Sequence, residues 1–116
     1  MELSNRDIEK LVEMSYWIED FAIVDNCVIR LRNIDGYCYF YNQTDNKCQI
    51  YDNRPIGCFL YPIVYLANWG PIIDELCPMG YTISEQELRT KGKILDKLLK
   101  KIDTEVQINQ RLYTHL

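Results

Sequence analysis

The stretch from Tyr37 to Pro78 constrains this chain more than any other. It carries Cys38, Cys48, Cys58 and Cys77, four of the five cysteines. Each stands beside a turn signal or a proline: Asp35-Gly36 before Cys38, Asp45-Asn46 before Cys48, Pro55 and Gly57 before Cys58, Pro78 after Cys77. Cysteines at bends can converge from separate segments onto one point. The expectation is that these four thiols ligate one metal centre.

At 116 residues the chain is the size of a single domain, 1–116. Its 47% hydrophobic and 26% charged residues are globular values, so a core can form without help from a metal. The formal net charge of -4 argues against nucleic acid as a partner, which needs a basic stripe. It argues equally against an anionic membrane surface. The N-terminus MELSNRDIEK has no apolar signal core, and no run is long enough to span a bilayer. A cytoplasmic location is expected, where thiols stay reduced and a cysteine cluster binds metal more readily than it forms disulfides. Five is also an odd count for a disulfide framework.

Ser4 and Asp7 fit the N-cap and N3 positions of a helix, with Leu3 and Ile8 as a hydrophobic staple. Ile8, Leu11, Val12 and Tyr16 repeat at helical spacing and carry the helix to about Trp17; Tyr16, Trp17 and Phe21 should anchor it to the core. From Ala22 to Asn33 the period changes to that of a β-hairpin, with Cys27 at its turn and ligating nothing. Gly36 to Asp52 reads as a second hairpin, Tyr37–Tyr41 against Cys48–Tyr51, which turns Cys38 and Phe40 to one face. Pro55 opens a short helix to about Leu60, and Pro62 ends it. Ile63–Leu66 and Ile72-Ile73 flank a turn at Asn68-Trp69-Gly70-Pro71 and make a third hairpin.

Ser84-Glu85-Gln86-Glu87 is a capping box, and the proline-free helix after it should span 84–113, roughly 45 Å. Leu88, Leu95, Leu99, Ile102 and Val106 form a seven-residue seam, with Gly92 in register, Asn109 after it, and Leu98 and Leu112 widening the stripe. That seam either packs on the chain's own sheet or is partly used for a homodimer. The fold class is therefore α+β: an N-terminal helix, short antiparallel hairpins around a cysteine block at 36–80, and a long C-terminal helix.

The cysteine spacing is C-x9-C-x9-C-x18-C, without the C-x2–4-C knuckles common in zinc fingers. Four thiolates satisfy zinc tetrahedrally or hold an iron–sulfur cluster. Tyr37, Tyr39, Phe40, Tyr51, Phe59, Tyr61 and Tyr65 crowd the same stretch and could limit solvent access. Arg54, between the middle cysteines, either balances a thiolate-rich centre or ties its own loop. Asp74 and Glu75 precede Cys77 as outer acceptors or as plain exposed acids. The alternative is that four small cysteines simply pack in a core.

The blocks LRNIDGYCYFY, KCQIYDNRPIGCFLYP and DELCP resemble the YkgJ-type cysteine-cluster family, a zinc- or iron-chelating domain. The specific part is Cys48, Ile50, Tyr51, Arg54, Pro55, Cys58, Tyr61 and Pro62 in order. The likeness covers residues 35–81 well and 3–34 more loosely, and leaves out the long helix. It implies chelation by Cys38, Cys48, Cys58 and Cys77, with Arg54, Tyr51 and Tyr61 beside them. The family usually opens with a C-x-x-C-C cluster before an M-x-L-S-x-x-D-I segment; here Met1-Glu2-Leu3-Ser4 and Asp7-Ile8 stand without it. The expectation is that Met1 is an internal methionine, which an in-frame stop just upstream would refute. If upstream cysteines share the ligand set, this form holds metal poorly or not at all.

Catalytic signatures are thin. The only histidine is His115, and there is no G-x-G-x-x-G or P-loop. The leading expectation is a small metal-binding protein carrying zinc, iron or an iron–sulfur cluster. The others are an S-adenosylmethionine-dependent protein lysine N-methylase-related domain, which only the resemblance suggests, and a non-metal module that dimerises through its C-terminal helix.

Overall fold

The structure, a computed structural model, describes residues 1–114, with side chains described to Ile108. Asn109 and Leu112 therefore lie outside the described side chains, and His115 outside the described residues. Among the described residues, four α-helices and four separate two-stranded antiparallel sheets make an α+β fold.

Helix α1 (Asn5–Glu13) begins as its sequence specifies. The Asp7 backbone N–H donates to the Ser4 hydroxyl oxygen, and the Ser4 backbone N–H donates back to the Asp7 carboxylate, closing the capping box. Leu11 is buried on the inner face, but Val12 is half exposed. The helix stops four residues short of Trp17, because the chain turns at Ser15 with φ +73°. A short helix α2 (Ile18–Phe21) follows. Phe21 is fully buried and Tyr16 packs edge-on against Phe40, while Trp17 is 72% exposed and anchors nothing.

Strands β1 (Ala22–Asp25) and β2 (Val28–Leu31) form the expected first hairpin. Asn26 and Cys27 at its turn both have positive φ, the requirement of a two-residue turn that matches strand twist. The next region differs from a single hairpin. Strands β3 (Asn33–Ile34) and β4 (Tyr37–Cys38) close at once around Asp35-Gly36, again with positive φ at both residues. Strands β5 (Tyr41–Asn42) and β6 (Lys47–Cys48) make another minimal pair. Asp-Gly is itself a strong two-residue turn, so Tyr37-Cys38 pairs backward rather than with Cys48–Tyr51.

Helix α3 (Ile56–Leu60) starts behind Pro55. Strands β7 (Ile63–Leu66) and β8 (Gly70–Ile73) form the last hairpin; Pro71 is tolerated because a two-stranded sheet has only edges. Helix α4 (Glu85–Thr114) closes the order. Its Glu87 backbone N–H donates to the Ser84 hydroxyl, as the capping box predicts.

The buried residues form two clusters. The first holds Leu3, Leu11, Phe21, Ala22, Leu31, Phe40 and Ile50. The second holds Leu60, Ile63, Leu95, Leu98 and Ile102, where α4 packs on α3, β7 and β8. Leu88, Leu99 and Val106 of the seam pack against this second cluster, so much of it is covered by the chain's own hairpin. At Gly92 the ring of Pro71 comes so near that an added Cβ would lie 3.0 Å from it. That close approach seats β8 on α4.

Candidate metal centre

Three of the four cysteines of the Tyr37–Pro78 stretch come to one place. Cys38 ends β4, Cys48 ends β6, and Cys58 lies in the middle of α3. All three are half-buried, and all three pack against the first core cluster. Phe40 is the hub of that cluster, ringed by Tyr16, Phe21 and Tyr39 at centroid distances of 4.9, 5.8 and 5.1 Å. The minimal hairpins each end in a cysteine that packs on this cluster, and α3 brings the third.

The electrostatics reflect that convergence. The Cys58 thiol is pushed up from 9.0 to about 11, first by burial and then by the neighbouring Cys38 and Cys48. Asp7 pushes it further in the same direction, and the N-terminal amino group of Met1 opposes. Met1 lies close because the Leu31 N–H donates to its carbonyl, which runs the N-terminal residues along β2. Its side chain rests on Gly57, the residue before Cys58, where any Cβ would collide with it.

Cys77 lies elsewhere. It follows β8, its N–H donates to the Asp74 carbonyl at 3.1 Å, and it packs with neither core cluster. Its neighbour is Tyr61, whose hydroxyl donates to the Asp74 carboxylate at 2.9 Å. That hydrogen bond raises the Tyr61 hydroxyl above its ordinary range; burial and the charges of Asp74 and Cys77 add to it. Cys27 stays at its hairpin turn. Among the described residues, no group of three or more His, Cys, Asp or Glu side chains is arranged to hold a metal ion. The donor chemistry of three thiols suits a borderline or soft cation, but a tetrahedral centre needs a fourth donor.

Of the surrounding aromatics, Phe40 is buried and Tyr39 half-buried, whereas Tyr37, Tyr51, Phe59, Tyr61 and Tyr65 are exposed. Arg54 ties its own loop: Nη1 donates to the Tyr51 carbonyl at 2.6 Å, and the guanidinium lies 4.2 Å from the Tyr51 ring centroid and 5.1 Å from that of Phe59. Asp74 accepts the Leu76 N–H at 3.0 Å and so shapes the Cys77 turn.

Sequence reasoning missed the second task of Asp7. This carboxylate is 3% exposed. Its Oδ2 accepts the backbone N–H and the hydroxyl of Ser4 at 3.1 and 2.9 Å, and its Oδ1 accepts the Ile56 N–H at 3.2 Å. It therefore caps α1 and also the first turn of α3, two residues before Cys58. The only sequence signal was the shorter Asp where a capping box usually has Glu or Gln.

The fold is that of a small α+β domain in which three cysteines pack against one core cluster. A family described as "CxxCxxCC: Putative zinc- or iron-chelating domain" matches residues 1–94, and the chain belongs to that family. The match takes in α1 and the start of α4, further at both ends than the cysteine block itself. The C-x-x-C spacing in the family's name does not occur in this sequence. No curated protein and no solved structure shows significant similarity to the chain.

Proposed function

We propose that this is a metal-binding protein whose zinc or iron is held by Cys38, Cys48 and Cys58, with Cys77 as the fourth ligand. The observation that carries the reading is the meeting of three cysteines from three separate elements at one core cluster, in a chain of a zinc- or iron-chelating family. Cys77 would join by an inward turn of the loop after β8, whose exposed Leu76, Met79 and Tyr81 leave it little packing to lose. Bound metal would supply cross-linking of these segments, and binding energy would appear as folding stability. The cytoplasm suits the reading, since thiols are kept reduced there.

Anaerobic purification followed by metal analysis and absorbance from about 300 to 500 nm tests it, since an iron–sulfur cluster colours the solution and zinc does not. Near-stoichiometric metal, lost in Cys48→Ser and Cys77→Ser alike, is the expected result. Less than about one-tenth of an equivalent of any metal refutes it. Full loading in Cys77→Ser removes Cys77 from the ligand set. A homodimer through α4 is a lesser part of the proposal, resting on Ile94 and Ile108, which stay 43% and 52% exposed on that helix. Sedimentation of Ile108→Asp against the wild type tests it, with equal masses as the negative result.

A further inference from the structure

Arg54 has a cation's usual surroundings inverted. The chain carries 17 acidic residues against 13 basic ones, yet among the described residues no carboxylate lies within 4.0 Å of this guanidinium. It is held instead by two rings and one carbonyl, with Tyr51 and Phe59 beside it and the Tyr51 carbonyl on Nη1. Those rings are 60% and 52% exposed, and Arg54 is half-buried between them, so the clamp lies at the surface. Lys91 shares the Phe59 ring at 5.5 Å, but its charge is answered by Glu87 at 2.9 Å. Arg54 is thus a pre-oriented, uncompensated planar cation flanked by apolar surface. Arginine with aromatic neighbours is the composition that dominates binding energy at protein interfaces.

We infer that the Tyr51–Arg54–Phe59 ridge is a docking site for an acidic segment of a partner protein, in which a carboxylate takes the open edge of the guanidinium and an adjacent apolar side chain rests on the rings. A carboxylate matches that edge in two parallel hydrogen bonds, and the stacked rings have already removed much of the arginine's freedom. Next to the ridge, Tyr51 also borders a hollow of about 570 Å³ with Tyr41, Asn46, Lys47, Cys48 and Asp52. It has room for one more side chain, and Lys47 offers a second cation. A free dianion is the poorer occupant. Asp52 and the net charge of -4 oppose any anion, and the free dianion has no apolar part to gain from the rings in return. The ridge needs no metal to function, so it stands apart from the chelation reading.

The test is a ¹H–¹⁵N titration of the full chain, with chelator present, following the Arg54 Nε–Hε signal. The probe is the capped peptide Gly-Glu-Leu-Glu-Asp-Gly; comparison titrations use its Gln/Asn counterpart and inorganic phosphate. Saturable movement of the Arg54 signal with the acidic peptide alone is expected. Arg54→Gln, read on the Phe59 amide, should weaken binding by about tenfold, and Arg54→Lys by less, because charge remains without the fork. Tyr51→Leu keeps the carbonyl that orders the loop and should still weaken binding about threefold, which covers the case of a disturbed Arg54 variant. Equal movement with the Gln/Asn peptide, undiminished binding in Arg54→Gln, or phosphate matching the peptide overturns the proposal. Movement on dilution of the protein alone also overturns it, since a second copy would then be the occupant.

Discussion

Replacing Asp7 with alanine tests the idea that one carboxylate joins the N-terminal helix to the segment bearing Cys58. Three donors lose their acceptor: the Ser4 backbone N–H, the Ser4 hydroxyl and the Ile56 N–H. Ser4 is fully buried, so its N–H finds no water, and an unsatisfied buried group costs about 1–3 kcal/mol. The hydroxyl can rotate and the Ile56 N–H is only partly buried, so each of these costs less. Allowing for the regained hydration of the lost carboxylate, the sum is about 3 kcal/mol, a large part of the stability of a domain this size. The melting temperature should fall by about 10–15 °C. Urea denaturation followed by circular dichroism measures the change. Asp7→Asn should cost less, because one acceptor remains. The Ser4→Ala/Asp7→Ala pair should be less than additive by about 1 kcal/mol, since each partner's loss already breaks the shared bonds. Glu9→Ala is the control: its partner Arg6 stands 3.4 Å away with both side chains more than half exposed, and the change should be within about 0.5 kcal/mol. An Asp7→Ala loss no larger than the control's would refute the reasoning.

Cys58 predicts an alkaline weakness of the metal-free protein. Its thiol keeps its proton to about 11 when folded, against 9.0 in an open chain, so between those values the unfolded state has released more protons and stability falls as pH rises. The thiol is only half-buried, so solvent screening leaves about 1 kcal/mol of the effect. Urea midpoints at pH 8 and pH 10.5 should diverge more in the wild type than in Cys58→Ser, and parallel behaviour would sink the claim. Cys27→Gly should stabilise the first hairpin by about 0.5–1 kcal/mol, because the residue sits at φ +66°, where a Cβ is strained; a drop in melting temperature would contradict this. Glu105 accepts the Asn5 N–H at 2.8 Å and so ties α4 to the start of α1. Glu105→Ala should speed hydrogen exchange in the first turn of α1 while leaving the α3 amides unchanged, and equal exchange in both variants would show the tie to be idle.

The parts of the fold that were legible are those fixed by local chemistry. The Ser4 and Ser84 caps, the start at Pro55 and the turn at Asn26-Cys27 each rest on a few adjacent residues and a hydrogen bond or dihedral those residues supply. The end of α1 was not legible, because Ser15 adopts positive φ without a glycine to announce it. The exposure of Trp17 was hidden for a related reason: once the chain turned at Ser15, the helical phase that placed Trp17 inward no longer applied. Cys38 and Phe40 do meet in the first core cluster, but not by strand alternation: β4 ends at Cys38, and Tyr39, expected on the other face, packs on the same cluster.

The site itself divides along the same line. Cys38, Cys48 and Cys58 are set by turns only a few residues away, and all three serve the first cluster. Between Cys58 and Cys77 the chain inserts β7 and β8, which pack on α4, with Ile63 of β7 in the second cluster. Leu60, two residues past Cys58, already faces that second cluster, so the short helix α3 is the point where the chain passes from one core to the other. The eighteen-residue gap before Cys77 counts residues but carries no direction, and direction is decided by which core the intervening hairpin covers. Any metal that gathers all four thiols must therefore draw Cys77 back across the β7–β8 hairpin toward the first core. Its affinity should then rise when β8 is loosened from α4. Gly92→Ala, whose new Cβ presses on Pro71, is the change that asks this. Tighter zinc binding in that variant, despite a lower melting temperature without metal, is the expected outcome; unchanged or weaker binding would mean that the β8–α4 contact does not restrain the thiols.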